Sequence, residues 1–365
     1  VGFDLLALGE LGYEVDLLTL PIGEDKAVPG VRILRLPNLI GIRQISIGPS
    51  FAKLIFDFIM LFSALRLVSR NQYHAIHGVE DAAAVGVLVS KFAGIPLVFE
   101  KHSDPGSYKH GGLKNIIMSL YAKVEGWTIR RAAAVIGTGK GLVDQAETIK
   151  PGIAAHHIMD IPSSLIEADP EKAQRARASL QQSPDETLVL YVGSFAAYQG
   201  IDLLFEAIPI VLKECPLARF VIYGGSEEEW TVRKRHLESL GLSKQVTFAG
   251  FIDPDELPHT LAGMDILLSP RITGTNTPLK LLDYLKAGRV IVATDTEANR
   301  LILDETVCIL GKPEPAEYAQ AICLAIQDPE RRQRISSKGH DLISSTYNYA
   351  EFKNRLADCY TGVLE

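Results

Sequence analysis

The hydrophobic pattern of this chain alternates between two periods, and no other feature restricts its fold as much. Short β-rich runs at 13–20, 31–36, 73–79, 96–99, 133–137 and 157–161 alternate with helical stretches at 1–11, 50–69, 82–92, 116–132 and 143–149. A second series repeats the scheme. Strands at 187–192, 218–223, 246–248, 265–269 and 290–293 alternate with helices at 201–213, 227–240, 256–262 and 279–287, and the chain ends in a helix at 349–363. Strands separated by helices cannot pair as hairpins. They return by crossovers, which builds parallel sheets covered on both faces. The expected class is α/β with two doubly wound, Rossmann-like domains, and 365 residues suit two domains.

The expected boundaries are 1–165 for the first domain, 166–186 for a polar connection with one helix, and 187–346 for the second domain, with 347–365 crossing back to the first. Gly12 suits the left-handed cap that ends the opening helix. A chain that enters on a helix feeding a parallel strand implies an earlier strand. One strand and its loop are therefore expected ahead of Val1.

Composition removes several classes. There are 44 acidic and 37 basic side chains, a net charge of −7, which argues against a nucleic-acid partner. The four cysteines show neither C-x-x-C nor nearby His spacing, so a reducing compartment is expected, with no disulfide frame or zinc site. No apolar run is long enough to span a membrane. Stretch 50–69 is greasy around nearly its whole circumference and is flanked by Arg43, Lys53, Arg66 and Arg70. Two readings stay open for it: a helix buried in the domain, or one lying on an anionic membrane surface. The expected location is cytoplasmic, peripheral at the inner face of a membrane in the second case.

In open parallel sheets ligands bind at the turns that follow the strands. In the second series these turns are Gly193-Ser194-Phe195 before Gln199-Gly200, then Gly224-Gly225, then Gly250-Phe251-Ile252, then the long segment 269–280. Glycine admits a close approach of backbone to ligand. In the last segment Asn276 and Thr277 could cap a helix, Pro278 suits its first turn, and Arg271 and Lys280 bring cations to one strand end. No cluster with metal-ligand spacing is recognised. Gly137-Thr138-Gly139-Lys140-Gly141 lacks the spacing and the hydroxyl residue of a phosphate loop. His74 and His77 flank a strand and read as packing or edge residues.

The order and spacing of Tyr191-Val192-Gly193-Ser194-Phe195, Gln199-Gly200-Ile201-Asp202, Val221-Ile222-Tyr223-Gly224-Gly225, Val246-Thr247-Phe248-Ala249-Gly250-Phe251, Asp265 to Pro270 and Thr277-Pro278-Leu279-Lys280-Leu281-Leu282-Asp283 resemble the nucleotide-sugar domain of glycosyltransferase family 4. That family has the GT-B fold, two facing Rossmann-like domains. The resemblance extends over nearly the whole chain and implies transfer of a sugar from a nucleoside-diphosphate sugar, UDP favoured, to an unknown acceptor. A lipid-linked or polysaccharide acceptor fits. Retention of configuration and independence of metal are implied, with no cofactor beyond the donor.

The resemblance also implies site roles. Asp283 stands where the family has the ribose-binding Glu, and Thr275 stands where its sugar-binding Glu would be. Sugar contact would then pass to the backbone of Asn276, Thr277, Pro278 and Leu279. Ser194 and Gln199 replace the family's diphosphate-gripping Arg and Lys, and Arg271 and Lys280 are the candidate substitutes. Phosphates are expected near Gly193 and Gly224, and the base near Gly250, Phe251 and Ile252. His102 matches a strand-end His that faces the donor sugar, with Asp104, Ser107 and Tyr108 on the acceptor side. His102, Lys280 and Asp283 are the catalytic candidates. The three departures leave two alternatives: a sugar-nucleotide-binding protein without turnover, or a GT-B sugar-nucleotide epimerase, although no convincing carboxylate pair supports the latter.

Overall fold

The structure, a computed structural model, describes residues 1–23, 25–39, 41–42, 51–103, 113–274 and 277–365, and of 51–52 and 113–117 the backbone only. The chain divides into two compact units, residues 1–160 with 350–365, and residues 161–349.

The first unit runs α1 (Gly2–Glu10), β1 (Val15–Thr19), β2 (Val31–Arg35), α2 (Phe51–Val68), β3 (Ile76–Val79), α3 (Ala82–Ala93), β4 (Leu97–Lys101), α4 (Leu113–Arg131), β5 (Ala134–Gly137), α5 (Lys140–Ile149) and β6 (Ala154–His157). The second runs α6 (Pro170–Leu180), β7 (Thr187–Val192), α7 (Ile201–Glu214), β8 (Ala218–Tyr223), α8 (Glu227–Ser239), β9 (Val246–Gly250), α9 (Leu257–Ala262), β10 (Ile266–Ser269), α10 (Lys280–Lys286), β11 (Val290–Thr294), α11 (Glu297–Arg300), β12 (Ile309–Gly311), α12 (Pro315–Gln327) and α13 (Pro329–Thr346). The last helix, α14 (Tyr349–Leu364), belongs mostly to the first unit.

In the first unit β1 pairs with β2, and β3, β4, β5 and β6 form a parallel sheet in that order. The second unit holds one parallel sheet, ordered β12-β11-β10-β7-β8-β9. Its strands are apolar at nearly every position because both faces are covered. Val189, Tyr191, Phe220, Ile222, Ile266 and Leu268 pack into one core layer, and Leu188, Leu190, Val221 and Leu267 into the other. These side chains are fully buried, each worth about 1.5–3 kcal/mol relative to exposure for the aliphatic ones.

The structure departs from the sequence reading at several elements. The strand expected at 157–161 lies at Ala154–His157. Pairing with β5 decides this: Ala134 aligns with Ala154 and Gly137 with His157, although two alanines carry little β propensity. Strand β12 has only three residues, too few for a periodic signal, and exists by pairing with β11. The polar helix α6 packs on the second unit. Asp169 caps it, Arg177 pairs with Asp265 at 3.0 Å, and the Asp169 N–H donates to His259 Nδ1 at 3.0 Å.

Helix α14 is tied to the first unit by Lys353 with Glu10 at 2.9 Å, by Arg355 donating to the His157 carbonyl at 2.9 Å, and by Tyr360 against the Tyr13 ring. Helix α2 buries Phe56 but exposes Leu54, Phe58 and Phe62, four residues apart and so on one face. Among the described residues no helix is long and apolar enough to cross a membrane.

Candidate active site

The strand order of the second unit reverses between β7 and β10, and that switch point is where a doubly wound sheet opens a crevice for a ligand. The loop after β7 and the loop after β10 are laced together there. Gly200 has φ +70°, and a Cβ on it would stand 1.8 Å from the Pro270 carbonyl oxygen, so the two backbones can meet only at glycine. The Ile272 N–H donates to the Tyr198 carbonyl at 3.1 Å. On the other side the Gly193 N–H donates to the Tyr223 carbonyl and the Gly224 N–H to the Gly250 carbonyl, at 3.1 and 2.7 Å. A Cβ on Gly224 would come within 2.0 Å of the Gly193 carbonyl oxygen. The sequence-predicted Gly193, Gly224 and Gly250 thus form one continuous rim.

Lys280 opens α10 and reaches back across this rim. Its Nζ donates to Gln199 Oε1 at 3.1 Å and lies 4.6 Å from the centre of the Tyr191 ring. It also stands 3.4 Å from where a Cβ of Gly193 would be. The residue as a whole is half-buried, and its ammonium lies against the buried Tyr191 ring. Burial, reinforced by the nearby Arg271 guanidinium, lowers its pKa to about 7. Among the described residues it makes no ion pair. Tyr191 is held by its own hydroxyl, which donates to the Ser194 carbonyl at 2.8 Å, while Ser194 itself is exposed.

Arg271 differs from a solvated loop cation. It is only 7% exposed, stacks over the Tyr198 ring at 5.4 Å and donates from Nε to the Thr273 carbonyl at 2.9 Å. Its carbonyl accepts the Thr294 hydroxyl, and Asn299, fully buried, donates from Nδ2 to the Thr294 carbonyl at 2.8 Å. Arg271 therefore braces the loop and adds positive potential behind Lys280.

The start of α10 also departs from expectation. The cap residue is Leu279 and makes no side-chain cap bond, and Pro278 precedes the helix, its carbonyl accepting the Leu281 N–H at 2.9 Å. Thr277 is half-buried and Leu279 exposed. Thr275 and Asn276 lie outside the described residues, as do Asp104, Ser107 and Tyr108 in the first unit.

Asp283, one turn further along α10, accepts the Ser163 N–H at 2.7 Å. Burial raises its pKa, a shift that the Ser163 hydrogen bonds only partly offset. It lines a cavity of about 450 Å³ with Ser164, Ile166, Lys286, Ser336 and His340. Lys280 and Gln199 do not line that cavity. Phe251 is 84% exposed and Ile252 half-buried, so this loop offers an open edge.

In the first unit His102 follows β4. Its Nε2 lies 2.6 Å from Glu100 Oε1, and its backbone N–H donates to Glu80 Oε1 at 2.7 Å. Burial alone would lower the imidazole pKa. The hydrogen bond and charge of Glu100, with Asp160 and Glu80, outweigh it and raise the value above that of free histidine. His77 bonds Glu100 and Tyr360 and so differs from a simple packing residue.

Tyr191, Ser163 and Glu100 went unnoticed in the sequence. Only Glu100 left a signal there, since alternation in a strand puts it on the face of His102. Contrary to the expectation of no metal-ligand spacing, the loop after β9 carries a D-x-D pair, Asp253 and Asp255. Asp253 Oδ1 accepts the Asp255 N–H at 2.9 Å, which makes a turn. Among the described residues no three acidic, His or Cys side chains converge as a metal site.

Comparison with known proteins bears on the family and the fold. A family profile described as "Glycosyl transferases group 1" matches residues 186–328, and one described as "Glycosyl transferase 4-like domain" matches residues 5–162. The chain is 26% identical over 289 residues to an alpha-D-kanosaminyltransferase of Streptomyces kanamyceticus, covering 77% of this chain and 74% of the relative. It is 21% identical over 364 residues to the phosphatidylinositol N-acetylglucosaminyltransferase GPI3 subunit of Saccharomyces cerevisiae, covering 97% of this chain and 77% of the relative. The crystal structure of Anabaena HepE in complex with UDP and glucose superposes with a TM-score of 0.68 at 17% identity, covering 92% of this chain and 86% of that one.

Proposed function

Because this chain belongs to the group 1 glycosyltransferases and has the GT-B fold, we propose that it moves a hexose from a UDP-sugar to a lipid-linked or polysaccharide acceptor, with retention and without a metal. Transfer from sugar-nucleotide donors is the activity of the family. The finer reading rests chiefly on Lys280. Its ammonium stands against Gly193 and Gln199 at the switch point with no carboxylate paired to it among the described residues.

A departing diphosphate gathers negative charge as the sugar–oxygen bond breaks, and a preorganised cation there is stronger in the transition state than in the ground state. Lys280 supplies that cation in place of the groups absent at Ser194 and Gln199, with Gln199 fixing its position. Backbone N–H groups of the Gly193 loop complete the grip. Asp283 takes the ribose hydroxyls, and the Gly250–Ile252 edge takes the base. His102 hydrogen-bonds a sugar hydroxyl. A structural neighbour of the same fold, whose solved complex holds UDP, supports the choice of base.

The acceptor reading is supported by the yeast relative, whose name specifies phosphatidylinositol. It is also supported by the exposed row Leu54, Phe58 and Phe62 on α2, with Lys53 and Arg66 on the same helix. We assign this face to an anionic membrane surface, which places the enzyme at the cytoplasmic side of a membrane.

The test is calorimetry of the full-length protein with UDP, UDP-glucose and UDP-N-acetylglucosamine, in EDTA, followed by UDP release with lipid acceptors. Binding in EDTA that is lost in Lys280→Met supports the reading. Absence of binding to any uridine nucleotide would overturn it.

A further inference from the structure

One buried hydrogen-bonded chain in the first unit leads to His102 from behind. It begins at α14, where the Tyr360 hydroxyl lies 2.7 Å from His77 Nδ1. His77 Nε2 lies 2.7 Å from Glu100 Oε2, and Glu100 Oε1 lies 2.6 Å from His102 Nε2. Glu100 is 3% exposed, so its carboxylate has no recourse to bulk water.

The proton positions follow from the donor inventory. Glu100 accepts at both oxygens, because the two imidazoles hold its carboxyl well below the usual range despite burial. His77 therefore donates from Nε2; with that tautomer assigned, its Nδ1 accepts. Tyr360 supplies that proton, since burial pushes its phenol far above its ordinary value and keeps it neutral. The bonds then converge on Glu100, which accepts His77 Nε2–H on one oxygen and His102 Nε2–H on the other.

A second carboxylate holds the main chain of the same residue. Glu80 accepts the His102 N–H, and its other oxygen accepts the Ser103 hydroxyl at 3.1 Å. Among the described residues Glu80 alone is a non-glycine with positive φ, +49°. A side-chain-bearing residue is held in that region only where its surroundings over-determine it, and such positions cluster at functional sites. Ring and backbone of His102 are thus each clamped by a separate acidic group.

We propose that Glu100 is the positioning residue of His102. It fixes the imidazole through Nε2 and leaves Nδ1 as the edge offered to a sugar hydroxyl, while His77 and Tyr360 hold Glu100 from behind. The sugar contact rests on the function proposed above, whereas the clamp itself does not. The carboxylates facing the ring are Glu100 from its own strand, Glu80 from the turn after β3 and Asp160 from the segment after β6. Asp4 of α1 acts on Glu100's other neighbours, Asp160 and Tyr360. With these around it the ring stays cationic to a higher pH than free histidine, and Nδ1 is a donor while it does.

The experiment uses full-length protein labelled with ¹⁵N-histidine, its His102 signals assigned through His102→Gln. In the wild type His102 should titrate above free histidine. In Glu100→Gln, which keeps the shape and removes the charge, its midpoint should fall by at least one pH unit. Tyr360→Phe removes one hydroxyl and should shift it in the same direction by less, which covers the case where Glu100→Gln fails to fold. With UDP-glucose as donor, Glu100→Gln should lower the rate of UDP release tenfold or more at pH 8 and much less at pH 6. The KM should stay within twofold. An unchanged His102 titration in both variants overturns the proposal whatever the activity. A shifted titration in a wild type that neither binds nor turns over UDP-glucose or UDP-N-acetylglucosamine upholds the clamp and refutes the sugar-transfer reading.

Discussion

Lys280→Met should stabilise the fold while removing donor binding, and the stabilisation should depend on pH in a calculable way. The ammonium sits inside, its pKa lowered from 10.5 to about 7 by burial and by Arg271. Between those two values the unfolded chain binds a proton that the native protein lacks, so stability rises with pH through that window. Keeping the lysine therefore costs about 4 kcal/mol at pH 7 and about 2 kcal/mol at pH 9, as upper bounds. Methionine keeps the stem and drops the charge. The lost bond to Gln199 subtracts about 1 kcal/mol at either pH, so it cancels from the difference. Urea unfolding of wild type and variant at pH 7 and pH 9 reads the quantity directly, and calorimetry with UDP reads the function. A stability gain that does not shrink by roughly 2 kcal/mol between the two pH values would refute the reasoning, as would undiminished affinity for UDP.

Other outcomes follow from the same geometry. Asp283→Ala should weaken UDP binding by about 1–3 kcal/mol through the unpaired ribose hydroxyls, and an unchanged dissociation constant would remove Asp283 from the site. Gly200→Ala should destabilise by about 1–3 kcal/mol, since φ +70° and a 1.8 Å clash with the Pro270 carbonyl both oppose a side chain; thermal melts check this. Replacing the exposed Phe58 and Phe62 together by Glu should abolish flotation with phosphatidylglycerol vesicles and leave the melting temperature unmoved. Asp57 of α2 is raised to about 6 by burial and by Asp81, so its cost appears as pH rises from 3.8 past 6. Asp57→Asn should then stabilise by about 1–2 kcal/mol at pH 7 after allowance for partial exposure, and by less toward pH 4, in urea unfolding.

Most of the fold was legible in the sequence because it rests on local period. Strands such as Ala218–Tyr223, apolar at five of six positions, and helices such as Ile201–Glu214, with one buried face, announce themselves within a few residues. Their alternation then leaves little choice but parallel crossovers. The glycines at strand ends were legible for a similar reason, since a turn signal and a ligand approach both call for them.

What only the tertiary structure decided were relations between residues far apart in the chain. Nothing near Lys280 shows that its ammonium meets Gln199, 81 residues away, or rides over the Tyr191 ring. Nothing near Asp283 shows that Ser163 occupies one of its oxygens, 120 residues away. Nothing near Arg271 shows that it stacks on the Tyr198 ring and donates to the Thr273 carbonyl. The chain from Tyr360 through His77 and Glu100 to His102 spans 283 residues between its first two members. Hydrophobic period is a property of neighbours along the backbone, and it settles which elements form. Protonation states and hydrogen-bond partners are properties of neighbours in space, and they settle what the site can do.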